Sequence, residues 1–207
     1  MGGFPRYCLQ VPKGSCMKLK KSRVASAGVP LAALLAVLAL AVPTVAAAET
    51  TESTEAVTTL EIKMEGKKMG FFGPKTVHEG EELRVVNDTM PSMVGPHTFS
   101  LVTKSSLPKT PEQRKECFTP GKICMGIAGW YGLKGEEAPK NPLVKAGKEG
   151  WDTMGTVKKK GDSYFFGKKG ESFEQVVSAK AGTTLYFMCA VHAWMQGQIK
   201  VLPPATQ

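Results

Sequence analysis

From residue 58 onward, apolar and polar positions alternate in short runs separated by Gly, Pro and Asn. Leu60, Ile62 and Met64 alternate with charged residues, the period-two pattern of a half-buried strand. A Gly-centred turn at His78-Glu79-Gly80-Glu81 leads into Leu83, Val85 and Val86, followed by polar turn residues and a Pro/Gly-rich loop from Met90 to Pro96. Thr98 to Val102 alternates again. Near the other end, Ala181-Gly182 turns into Thr183 to Cys189, rich in β-branched and aromatic residues, and Gln198 to Leu202 reads as a closing strand. Short strands punctuated by Gly and Pro turns predict an all-β sandwich.

Residues 104–173 break this pattern. Gly, Pro and Lys are frequent, and Trp130, Tyr131, Trp151, Tyr164, Phe165 and Phe166 follow no period, so packing is their expected role. Pro111 to Cys117 predicts one or two helical turns, with Thr110 as cap and Pro111 at the first position. The stretch reads as a long, irregular, partly helical insertion packed on the sandwich. Met90, Met93, Met125 and Met154 are expected to pack in the interior. Met188 is too, because strand alternation points it away from Cys189.

The first 48 residues are of another kind, with six basic residues, no acidic ones and an apolar run from Leu31 to Val42 closed by Pro43. That run is short for a membrane helix, which needs about 20 apolar residues. With Ala46-Ala47-Ala48 behind it, it predicts a secretory signal cleaved near Glu49; an uncleaved membrane anchor is the other reading. A more compact signal begins at Met17, which opens a second possible start of translation. The organisation expected is a signal segment at 1–48, a polar leader at 49–57, one domain at 58–203 containing the insertion, and a tail at 204–207.

Removing the signal changes the charge picture. Of 27 basic residues 6 lie in it, leaving 21 against 18 acidic ones, so a net +9 falls to +3. The short runs Lys158-Lys159-Lys160 and Lys168-Lys169 read as solvated turns, not as the concentrated basic face that nucleic-acid binding needs. No nucleic acid or small-molecule substrate is expected, and a monomer is.

The exported chain would keep Cys117, Cys124 and Cys189, an odd number for an oxidising compartment. Cys117 and Cys124 flank a Pro/Gly loop and are the natural disulfide. Cys189 is left over, in Cys189-Ala-Val-His192-Ala-Trp-Met195. A thiolate, an imidazole and a thioether together are soft-to-intermediate donors suited to copper, and a trigonal two-His, one-Cys site with a weak axial Met lacks only a second imidazole. His97, at a loop-to-strand junction after Pro96, can supply it. His78, the other histidine, lies in a Glu-rich turn and is expected at the surface. The predicted ligand set is His97, Cys189, His192 and Met195 around one type 1 copper ion.

Here the chain resembles the cupredoxin, or blue copper, family. The resemblance rests on Gly80 to Asn87, Pro96-His97 and Phe99, then Gly182-Thr183, Tyr186-Phe187, Cys189, His192, Met195, Gly197 and Ile199-Lys200-Val201. The Cys-x2-His-x2-Met spacing is similar to amicyanin-like members, whereas plastocyanin-like ones place the Met further on. It covers roughly residues 58–103 and 174–202 and leaves the insertion unmatched. It implies a Greek-key β-sandwich and exported one-electron transfer through Cu(I)/Cu(II), with no catalysis. It also implies that His192 looks out through an apolar patch where Ala193 and Trp194 dock a redox partner. Two positions depart from the family pattern: Thr98 stands where Asn often follows the first His, which puts in doubt a bond tying the ligand loops, and Ala193 stands where Pro is common.

Multicopper oxidases and copper nitrite reductases need more His-rich centres than three histidines can furnish. Thiol-disulfide catalysis would want Cys-x-x-Cys. A carrier or storage protein holding Cu(I) without redox cycling is the alternative, supported by ten methionines. Zinc is a third option, disfavoured because thioether is a poor ligand for it. Location is expected to be periplasmic or extracellular, or membrane-associated if the signal stays attached.

Overall fold

A computed structural model describes residues 57–133, 137–147 and 149–206; the expected signal segment and all but the last residue of the leader lie outside them. In chain order the elements are β1 (Val57–Glu65), β2 (Lys68–Phe72), β3 (Thr76–His78), β4 (Glu82–Asn87), α1 (Pro91–Val94) and β5 (His97–Val102). They continue with α2 (Pro111–Glu116), α3 (Ile123–Trp130), β6 (Leu143–Val144), β7 (Ser163–Phe166), β8 (Ser172–Val176), β9 (Thr184–Met188) and β10 (Gln196–Leu202). One mixed sheet runs β2-β1-β4-β8 and the other β3-β10-β9-β5-β7-β6, with β1 parallel to β4 and β3 parallel to β10.

The inward positions of both sheets meet in one core. Leu60, Ile62, Leu83 and Val85 come from the first sheet, and Phe99, Leu101, Leu185, Phe187, Ile199 and Val201 from the second. Phe99 is its centre, touching Phe71, Trp151 and Phe187 at ring separations of 5.9, 5.0 and 4.7 Å. The sandwich expected from the alternation is present. Met64, at the end of β1, is exposed, because the strand runs out past the core there.

β5 is buried at every position, since it pairs with β7 on one side and β9 on the other and both its faces are covered. Phe99 and Leu101 face the main core, while Val102 joins a second cluster with Ile123, Ile127, Trp130, Val144 and Met188. Met188 therefore packs, as expected. So do Trp130, Trp151 and Phe166.

Residues 104–173 also contribute strands to the sandwich. β6 and β7 extend the six-stranded sheet, β8 starts at Ser172 in the other, and Trp151 is fully enclosed by the main core. The sequence conceals this because β6 and β7, of two and four residues, are too short to show alternation. Part of the stretch is held by Asp162, whose buried carboxylate accepts from the backbone N–H groups of Ala146, Gly147, Asp152 and Thr153. The helical turns at Pro111–Glu116 form with a reciprocal Thr110–Gln113 capping box. α3 carries Gly126 and Gly129, poor helix formers; a Cβ on Gly126 would lie 2.9 Å from Val157 Cα, so the close approach of that loop explains the glycine. Cys117 and Cys124 are bonded, joining the end of α2 to the start of α3.

Three methionines expected inside are outside: Met90, Met93 and Met125 are exposed, Met93 at 78%. Met90 and Met93 belong to α1 and its cap, a single turn that buries none of its own residues. Met154 is partly buried against the core. Lys158–Lys160 and Lys168–Lys169 are exposed, as expected. No helix among the described residues is long and apolar enough to cross a membrane.

Candidate metal centre

β9 and β10 are antiparallel neighbours, and the loop between them is pinned by Cys189 N–H donating to Met195 O and Met195 N–H donating to His192 O. This tight hairpin places Cys189 at the end of β9, His192 mid-loop and Met195 at the start of β10. His97 opens β5, which lies beside β9 in the same sheet. Four residues from distant stretches thus share one end of the sandwich.

Cys189 Sγ lies 3.8 Å from His97 Nδ1 and 3.6 Å from His192 Nδ1. All three donor atoms fall within 4.8 Å of one another, and all three residues are buried. The imidazole rings are 4.7 Å apart. The separations suit a shared ion: bonds of about 2.3 Å to thiolate and about 2.0–2.1 Å to imidazole, as for zinc, at trigonal angles put S and N about 3.8 Å apart. Met195 is 1% exposed and packs in the same cluster as Cys189. His78 is not part of the group; its Nδ1 is 2.5 Å from the Pro203 carbonyl oxygen.

Hydrogen bonds fix both ring tautomers. His192 Nε2 is 2.8 Å from Val94 O, a carbonyl that can only accept, so Nε2 carries the proton and Nδ1 keeps its lone pair. His97 Nε2 is 2.8 Å from Thr89 Oγ1, whose own proton goes to Asn87 Oδ1 at 2.7 Å. Thr89 must therefore accept from His97, and again Nδ1 is left free on the side of the sulfur. Asn87 is anchored in turn by donating to Lys168 O. Such outer partners orient a ligand and raise its basicity.

Burial sets the protonation states. It lowers His97 to about 4, with the neighbouring His192 adding to the effect, and it lowers His192, against the opposing Val94 bond. Both rings are neutral at pH 7. Burial pushes the Cys189 thiol up, partly offset by N–H donors of Thr98, His192 and Val191. A bound cation would displace that proton, since a thiolate is the ligand form.

Thr98 ties the two ligand segments after all. Its N–H donates to Cys189 Sγ at 3.3 Å and its Oγ1 accepts from Ala190 N–H at 2.8 Å. The loop carrying Ala193 is held despite lacking Pro, because Gln196 Nε2 donates to Ala193 O and Pro108 O.

The expected outward view of His192 is corrected. The residue is 7% exposed, closed over by α1 through Val94 and by Gly95, whose backbone at φ 83° lies against the ring. Ala193 is 1% exposed and packs beneath the surface against the second cluster, because its side chain turns toward α3. Trp194 is exposed at 54%, 5.0 Å from the His192 ring.

Asn87, Thr89 and the Val94 carbonyl were not foreseen as supporting groups. A signal for the first existed: Leu83, Val85 and Asn87 are the buried positions of β4, and a polar residue on an inward face calls for a partner. Backbone acceptors such as Val94 O leave no mark in a sequence.

No protein-family model matches the chain, and no curated protein sequence matches it. Among solved structures it is similar to auracyanin A, a blue copper protein from Chloroflexus aurantiacus, at 19% identity and a TM-score of 0.39, over 70% of this chain and 98% of that one. A purple cupredoxin from Nitrosopumilus maritimus overlaps at 14% identity and a TM-score of 0.35, over 70% and 98%. A copper-containing nitrite reductase from Thermus scotoductus overlaps at 15% identity and 0.35, over 72% of this chain but only 23% of the enzyme. Two packed sheets carry at one end a Cys thiol, two tautomer-locked imidazoles and a buried Met, a mixed set of soft and intermediate donors that suits one copper ion.

Proposed function

We propose that the protein transfers single electrons outside the cytoplasm, holding copper with His97, Cys189, His192 and Met195. The observation that carries this reading is the pair of free Nδ1 lone pairs facing one buried sulfur. Bound there, copper would supply a one-electron Cu(I)/Cu(II) couple, for which this mixed donor set is suited. The chain's own contribution is to keep the donors still. His97 is held from Thr89 and Asn87, His192 from Val94, and Cys189 from Thr98, so little movement is needed when charge changes. α1 and the buried loop exclude water from the sulfur, which is 0% exposed. Met195 would be the weakest of the four donors.

Trp194 is exposed with its ring 5.0 Å from that of His192, which makes it the place where a redox partner would dock. Export fits the Cys117–Cys124 disulfide, a bond that persists in oxidising compartments. The test is the optical spectrum of copper-loaded protein. An intense thiolate-to-Cu(II) absorption that bleaches reversibly with reductant, and is lost in Cys189→Ser, is the expected result; its absence from the loaded wild type rejects the reading.

A carrier of Cu(I) is favoured by one observation, the exposed thioethers of Met90 and Met93 on the turn that covers His192. Such a protein would stay colourless and surrender its copper to a chelator that competes only weakly.

A further inference from the structure

A row of hydroxyl groups runs from the segment after α3 to Thr98. Tyr131 Oη is 2.6 Å from Ser163 Oγ, Ser163 Oγ is 2.6 Å from Ser100 Oγ, and Ser100 Oγ is 2.9 Å from Thr98 Oγ1. Ser100 and Ser163 are 0% exposed and Thr98 3%, so water does not compete for these bonds. Tyr131 caps α3, in a part of the chain that the family resemblance leaves unmatched.

Each hydroxyl has one proton, and the count fixes the direction of the row. Ala190 N–H donates into Thr98 Oγ1, and Ser100 spends its proton on the same oxygen. Ser100 must then accept from Ser163, and Ser163 from Tyr131. The Thr98 oxygen therefore accepts twice, while the N–H of the same residue donates to the Cys189 sulfur at 3.3 Å. Every O–H in the row points the same way. Burial pushes the Tyr131 phenol up, so it stays a donor at neutral pH.

We infer that Tyr131 is a positioning residue which, through Ser163 and Ser100, holds Thr98 so that its N–H stays aimed at the Cys189 sulfur, and so favours the reduced state of the site. This rests on the copper reading above. The physical reason is charge. Reduction adds an electron to a buried thiolate–metal unit, and a donor aimed at sulfur stabilises the more negative state; hydrogen bonds to sulfur are a known lever on metal potentials. Bonds in line strengthen one another, so losing the far one loosens the hold on Thr98. The segment between β5 and β9 therefore does more than cover the sheet: it supplies the terminal donor.

Tyr131→Phe keeps the ring against Phe165 and removes only the terminal proton. Spectroelectrochemical titration of copper-loaded protein, with the charge-transfer band as second readout, is the measurement. The expected result is a shift of the Cu(I):Cu(II) ratio toward Cu(II) by about threefold at fixed applied potential, about 28 mV lower for a one-electron couple. Ser163→Ala should shift it at least as far, and the double variant no further than Ser163→Ala alone. Tyr164→Phe, whose hydroxyl bonds Glu171 outside the row, should leave it unchanged. If Ser163→Ala does not fold, Ser100→Ala cuts the row one link nearer the thiol. A potential unchanged in Tyr131→Phe, or shifts that add in the double variant, overturns the inference while leaving the copper reading intact. A wild type with no charge-transfer band overturns both.

Discussion

Single side chains decide whether the donors are ready before an ion arrives. Thr89 is a case. Thr89→Val leaves the His97 Nε2 proton without an acceptor in a buried site, which costs about 1–3 kcal/mol. It also frees the ring, and losing such an outer partner lowers metal affinity by about 10- to 100-fold; urea melts of metal-free protein and competition with a copper chelator measure the two separately. Acid is the second lever. His97 has a folded value near 4 against about 6.5 unfolded. Between these the unfolded chain binds more protons, so metal-free protein loses stability as pH falls below about 6.5, levelling off near 4, by about 3 kcal/mol. Unfolding free energies measured from pH 7.5 to 4 test this. A flat profile would mean the ring protonates in place.

At the scale of elements, strands that alternate or lie between turns were legible, and two short ones within residues 104–173 were not. β1 and β4 could be read because one face of each is wet, and β9 and β10 because β-branched and aromatic residues lie between turns. β6 and β7 escaped because two and four residues are too few to set a period. The same physics governed the site. His97, Cys189 and His192 were visible as residue types whose chemistry is scarce in the chain, while Val94 O and the hydroxyl row depend on distances that no spacing encodes. The short helices carry their own expectations. Opening the Cys117–Cys124 bridge by replacing both with Ser removes a cross-link spanning a short loop, for a loss of about 2.5 kcal/mol. Thr110→Ala removes the α2 cap for about 1 kcal/mol. Both are read from denaturant midpoints, and the first is expected to loosen the wall of α3 behind Met188 and Ala193.

For the molecule as a whole, a site assembled in advance makes metal binding and stability one equilibrium. Copper at 100 times its dissociation constant should stabilise the fold by about 2.7 kcal/mol, seen as a rise in melting temperature that a chelator reverses. Trp194→Lys should slow electron exchange with a partner while leaving the optical spectrum and the melting temperature unchanged. Unaltered exchange would move the docking surface elsewhere.

β5 is caught between two neighbouring strands and covered on both faces, so its amides can meet solvent only when the entire fold opens. One imidazole is fixed to that strand, whereas the sulfur and the other imidazole lie on the loop that joins β9 to β10, past the end of their ladder. On warming, release of the ion should therefore begin as a local loosening of residues 190–195, with Thr98 still among the slowest amides to take up deuterium.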